Sequence, residues 1–121
     1  MSAPEVSHLV VIDWSVAPFR AERWYGLWLP AAERALSYGA THWTITRSTE
    51  NPLLFRQSIG WRERSDFERD WASDELDAAR RQTSGLHAVP VLPVWHTLLA
   101  GETIAADGEP VAEAGAAANG G

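Results

Sequence analysis

Two β-like runs, THWTITRS and LLFRQSIGW, stand back to back in the middle of the chain, and this arrangement limits its folds more than any other feature. The intervening STENP carries turn formers, so the two runs read as a hairpin. On each side lies a helical stretch and beyond it another β run, which gives the order β-α-β-β-α-β. The second hairpin strand places Leu53, Phe55, Gln57, Ile59 and Trp61 on one face. Leu54, Arg56, Ser58, Gly60 and Arg62 fall on the other. The first strand, HLVVIDWSV at 8–16, likewise splits into His8, Val10, Ile12 and Trp14 against Leu9, Val11, Asp13 and Ser15.

Between Pro18 and Gly39, Trp24, Leu27, Trp28, Ala31 and Ala35 recur at helical spacing. Pro30 removes a backbone donor, which predicts a kink or restart near Leu29, and Gly39 is placed to end the helix. A second helix is predicted from a Ser65 cap, with Asp66 and Glu68 in its first turn and Phe67, Trp71 and Leu76 on its apolar stripe, ending at Gly85. The last strand, AVPVLPVWHTLL from Ala88, carries two prolines and therefore belongs at a sheet edge. After Glu102 the composition falls to Ala, Gly and acids. Residues 1–102 are thus expected to form one domain, and 103–121 a disordered tail. The whole reads as an α+β, ferredoxin-like fold, with two helices over one face of a four-stranded antiparallel sheet. The opposite face, bearing Leu54 and Leu92, would be left bare, which predicts a homodimer packed sheet on sheet.

Composition narrows the chemistry. The 121 residues contain no cysteine, so thiolate catalysis, disulfides and Cys-ligated metals are excluded. All ten basic residues are Arg, which removes a lysine Schiff base. A net charge of −6 argues against nucleic acid as a partner, since phosphates would be repelled. No run approaches the length of a membrane span, and MSAPEVSH lacks the marks of a leader, so a cytoplasmic protein is expected. Seven Trp in so short a chain point to a core or a cavity lined with indoles.

Over about residues 8–102 the chain resembles the antibiotic biosynthesis monooxygenase-like family of dimeric α/β barrels. The resemblance is carried by VIDWSVAP, by GATHWTITRSTENP and by the strand-into-helix segment FRQSIGWRERSDFERDWAS. It implies a small aromatic or polyketide-type substrate and oxygenation without metal, flavin or haem. In the polyketide-tailoring members a carboxamide, a Trp four residues on and a Tyr six further line the pocket between sheet and helices. Gln57, Trp61 and Phe67 match these positions, the last without the phenol hydroxyl. Haem-degrading members carry an iron-ligating His where this chain has Trp71.

Several candidate sites follow. Gln57 in an indole-walled cavity can polarise a carbonyl or steady an enolate while dioxygen attacks it; its plainer role is to accept a tryptophan N–H. Asp13, read as an acid among apolar neighbours, would have a raised pKa and serve as a base, or else pair with an Arg. Trp24 and Trp28, one turn apart, can wall a planar substrate or simply pack on the sheet. His42 and His96 sit on different strands as candidate ligand contacts without any metal-binding spacing. Two other functions stay open: a non-catalytic ligand-binding or dimeric interaction domain, and a tailoring cyclase or isomerase using Asp13 or a His as base.

Overall fold

The computed structural model describes residues 8–104 and 110–111. Strand β1 (His8–Ser15) leads into α1 (Ala21–Ala32), which tightens into a 3₁₀ segment at Glu33–Tyr38. The hairpin β2 (Ala40–Arg47) and β3 (Leu54–Trp61) follows, then α2 (Arg64–Trp71), α3 (Asp74–Gln82) and β4 (Val94–Thr97). The sheet order is β2-β3-β1-β4, with every pairing antiparallel. This is the ferredoxin-like arrangement expected from the order of elements. A separate ladder joins β5 (Thr103–Ile104) to β6 (Pro110–Val111). The rest of the expected tail lies outside the described residues.

The register explains why one face is buried. Opposite Val10, Ile12 and Trp14 of β1 stand Ile59, Gln57 and Phe55 of β3, and all six are buried. Trp24, Trp28 and Ala31 of α1, Phe67 of α2, and Leu76 and Ala79 of α3 close over them as one apolar cluster. The intervening residues of β1 and β3, Leu9, Val11, Asp13, Leu54 and Arg56, are half-buried or exposed.

Three local expectations are corrected. α1 runs through Pro30 without restarting at Leu29, and the change of helix type comes three residues later, at Glu33. Proline lacks only its own N–H, and the turn that follows relaxes into 3₁₀ bonding. Gly39, at φ 110°, ends the segment as expected, and a Cβ there would also press on the Asp66 carboxylate. The predicted second helix is two helices. Ser65 lies inside α2 rather than capping it, and the chain breaks at Ala72–Ser73. Ser73 is the working cap, its Oγ accepting the Leu76 N–H at 3.2 Å, followed by Asp74, Glu75 and Asp77 where they favour the helix dipole. The last strand shrinks to four residues, because Pro90 and Pro93 fall in the preceding connection, and it occupies the sheet edge.

Gly60 matters for its missing side chain. A Cβ there would press on Cε1 of His42 and lie 2.7 Å from Thr41 Oγ1, where a bulge in β2 lets the imidazole lie across β3. Gly60→Ala is expected to cost about 1 kcal/mol, read as a fall of about 5 °C in thermal midpoint. An unchanged midpoint would mean that the ring swings clear at no cost.

Candidate active site

The helix-facing side of the sheet gathers most of the tryptophans into one connected group. Gln57, 3% exposed at the centre of β3, accepts through Oε1 from Trp28 Nε1 at 2.9 Å and from Trp14 Nε1 at 3.4 Å. Trp14 packs on Trp24 and Trp28 with ring centroids 5.1 and 4.6 Å apart. Trp28 meets Trp71 edge-on at 6.4 Å, Trp71 stacks on Phe67 at 5.5 Å, and Phe67 meets Trp61 at 5.8 Å and Trp95 at 5.3 Å. Such offset and edge contacts each contribute about 1 kcal/mol beyond area burial. Gln57, Trp61, Trp24, Trp28, Phe67 and Trp71 are therefore brought together. Trp14 and Trp95 join them, although sequence reasoning did not single them out. Strand alternation carried that signal, since Trp14 shares a face with Ile12, and Trp95 pairs with Val10 across β1.

The donors in this group are unevenly satisfied. Trp61 and Trp24 are fully buried, yet neither Nε1 has a hydrogen-bond partner. Buried donors are ordinarily paired, so these two indole N–H groups stand out as unsatisfied. Of four clefts of about 200–460 Å³ among the described residues, none is bordered by Gln57 or Trp61.

Asp13 requires a correction. It points away from the indoles to the opposite face of the sheet, where Arg56, its cross-strand neighbour, grips it with a two-pronged bond of 2.8 and 3.1 Å. The Arg56 hydrogen bonds hold the Asp13 carboxyl below its usual range, outweighing the opposing effect of desolvation, and raise the guanidinium in turn. The expected rise assumed that apolar sequence neighbours mean burial, but on a half-solvated face they do not. Asp13 therefore lies across the sheet from Gln57, and of its two expected roles the pairing with an Arg is the one the structure shows. His42 and His96 are also on the opposite face. They share one cross-sheet row, His42 with Gly60, Leu9 and His96, so two strands separate them by roughly 14 Å. No cluster of three or more His, Asp or Glu suited to a metal ion occurs among the described residues, and no helix there is long and apolar enough to cross a membrane.

Asp70 went unnoticed as a candidate. It lies one turn beyond Phe67 on the buried stripe of α2, 4% exposed, with Oδ1 unpartnered. Burial pushes its carboxyl up to about 6, with Arg34 drawing it down and Glu75 pushing it up. The i, i+3, i+4 spacing of Phe67, Asp70 and Trp71 is the signal that sets it on the apolar stripe, apart from Asp66 and Glu68 in the first turn.

The same strand order and helix cover recur in solved structures. A Nitrosomonas europaea protein with the provisional name antibiotic biosynthesis monooxygenase superposes with a TM-score of 0.68 at 17% identity, over 74% of this chain and 95% of that one. The fold is that of the antibiotic biosynthesis monooxygenase-like proteins. A similarly named Caulobacter crescentus protein matches with a TM-score of 0.69 at 15% identity, over 80% and 94% of the two chains. A Pseudomonas aeruginosa protein reaches 0.70 at 17%, over 78% and 96%. At such identities the likeness to antibiotic biosynthesis monooxygenase-like structures concerns the fold. No family model matches the sequence. No curated protein matches it either.

Proposed function

We propose that this chain binds a small planar aromatic molecule of polyketide type among the indoles between sheet and helices, and oxygenates it without metal, flavin or haem. One observation carries the reading: the unpaired N–H of Trp61, fully buried in the aromatic layer between sheet and helices. An indole N–H pointed at an enolate or phenolate oxygen stabilises that anion, and does so more strongly away from water. Dioxygen then adds to the adjacent carbon. One oxygen atom stays as a ketone, and the other leaves as water with the two hydrogens of the oxidised CH₂. Trp24, Trp28, Phe67 and Trp71 supply the flat apolar walls. In this reading the protein works in the cytoplasm as a homodimer.

The bond between Gln57 and Trp28 favours a second reading, a ligand-binding or interaction domain without catalysis. The Gln57 carbonyl is already spent on the core, so the amide is not the group that separates the two. Trp61→Phe separates them, because its N–H has no partner in the protein and its loss breaks no internal bond. Aerobic turnover of an anthrone or quinol by Trp61→Phe is expected to fall about 100-fold, with a stability loss of about 1–2 kcal/mol from the space the smaller ring leaves in the core. Equal turnover by wild type and variant would remove Trp61 from the chemistry, and no oxygen-dependent turnover by either would leave the binding reading.

A further inference from the structure

None of the four clefts among the described residues borders Gln57 or Trp61, so a planar molecule reaches these indoles only when one of the covering elements moves. Strands β1 and β3 are fixed by their ladder, and α1 sets Trp24 and Trp28, both fully buried, against them. Helix α2 is held differently. At eight residues it is too short to persist on its own hydrogen bonds. Glu63 before it gives no side-chain cap, and at the far end the helical run breaks at Ala72–Ser73. Its outer ties are the Arg64 guanidinium over Trp95 at 4.4 Å and Arg69, which bonds Asp66 within the helix and reaches the Tyr38 carbonyl at 3.4 Å. Exposed ties of this kind contribute little. The inner face of α2 carries Phe67, packed on Trp61, and Trp71, packed on Trp28, so it covers the indoles directly.

That inner face also carries a group unlike the rings beside it. Asp70, one turn from Phe67, is buried with Oδ1 unpartnered. The charged and phenolic groups around it are engaged elsewhere. Arg34 of the 3₁₀ segment bonds Glu75 of α3 at 3.2 Å, Tyr38 donates to Glu75 at 3.3 Å, and Arg80 of α3 lies over the Trp71 ring and 3.9 Å from Asp77. An ionised carboxyl in that place is better off in water, and it reaches water when α2 turns outward. We infer that α2 is a hinged door over the aromatic layer, turning at Ala72–Ser73, and that the Asp70 carboxylate biases it open. Ser73 suits the hinge because its Oγ bonds both sides of the break, donating to the Asp70 carbonyl at 2.7 Å and accepting the Leu76 N–H at 3.2 Å. The second of these bonds keeps α3 capped while α2 swings. The open state remains the minor one, since Phe67 leaves the core in it. The inference rests on the aromatic-ligand reading for what enters and adds the way in. Proton binding sets a direction: Asp70 titrates at about 6 when covered and at an ordinary 3.8 when solvated, so opening grows as pH rises through that range.

Amide hydrogen exchange of the full chain, resolved by NMR and corrected for the intrinsic effect of pH, tests the door. The amides of residues 68–72 are expected to exchange ahead of those in β1 and β3, through an opening that low urea barely accelerates. Their opening equilibrium should rise at least about tenfold from pH 4.5 to pH 7.5. In Asp70→Asn that rise should vanish, with the α2 amides protected at pH 7.5 as well as those of the wild type are at pH 4.5, and a thermal melt checks that the variant folds. Amides of α2 that exchange only in step with β1 and β3 would overturn the door itself. An opening that keeps its pH dependence in Asp70→Asn would overturn the part given to the carboxylate. Exchange is read without ligand, so the door can fail while the aromatic-ligand reading stands, and the Trp61→Phe assay can fail while the door stands.

Discussion

Replacing Gln57 by leucine is expected to lower stability by about 3 kcal/mol and the thermal midpoint by about 15 °C. Leucine fills nearly the same volume, so the cost is not that of a cavity. It comes from the indoles: Trp28 Nε1 loses a 2.9 Å bond and Trp14 Nε1 a longer one of 3.4 Å. An orphaned buried donor costs about 1–3 kcal/mol, because in the unfolded chain the same N–H bonds to water. Two neighbouring indoles, Trp24 and Trp61, are already without an acceptor, so the freed donors gain none from the groups around them. Thermal and urea unfolding of Gln57→Leu measure the effect. A midpoint within a few degrees of wild type would show that the amide is not holding these indoles, and would return it to the list of groups free to meet a ligand.

The fate of Gln57 also shows what was legible in the sequence. Strand alternation placed it correctly on the buried face, in register with Ile12, and the order of elements led to the observed sheet. Alternation is a property of the backbone and survives whatever the core contains. The identity of its partner was not legible. The residue match pointed to Trp61, four positions away, whereas the bonds come from Trp28 on α1 and Trp14 on β1, side chains made neighbours only by packing. For Asp13 the expected raised carboxyl failed for the complementary reason, while the alternative, an Arg partner, is what the structure shows. Its face was read correctly, but whether that face is wet depends on what covers it, and a cross-strand arginine decided its charge state. The break between α2 and α3 was missed because Phe67, Trp71 and Leu76 keep nearly helical spacing across it, and the Ser73 cap resembles an ordinary helical serine until the chain is seen to turn.

Asp70→Asn should stabilise the protein at neutral pH, an unusual result for a change of a buried polar residue. The folded carboxyl titrates at about 6 against an ordinary 3.8, because burial in the α2 stripe penalises its charge more than Arg34 offsets it. Where the folded state holds its proton more tightly than the unfolded state, stability is greatest below the unfolded value and declines as pH rises through the folded one. The Asp70 contribution is therefore complete below about pH 4, falls between pH 4 and 6, and is gone by about pH 7. The full swing is about 3 kcal/mol, and asparagine, which keeps the shape without the charge, should recover about 2 kcal/mol of it at pH 7.5 while giving nothing at pH 4. Asp13 and Glu75, whose carboxyls are lowered instead, lose stability as the medium turns acid, so the wild-type profile alone mixes both signs. The difference between wild type and Asp70→Asn isolates the buried group, because the other carboxyls are common to both. Urea denaturation of the two proteins from pH 4 to 8 should give curves that coincide at the acid end and separate above pH 5. Parallel curves across that range would mean that Asp70 is solvated in the folded protein and that burial does not raise its carboxyl.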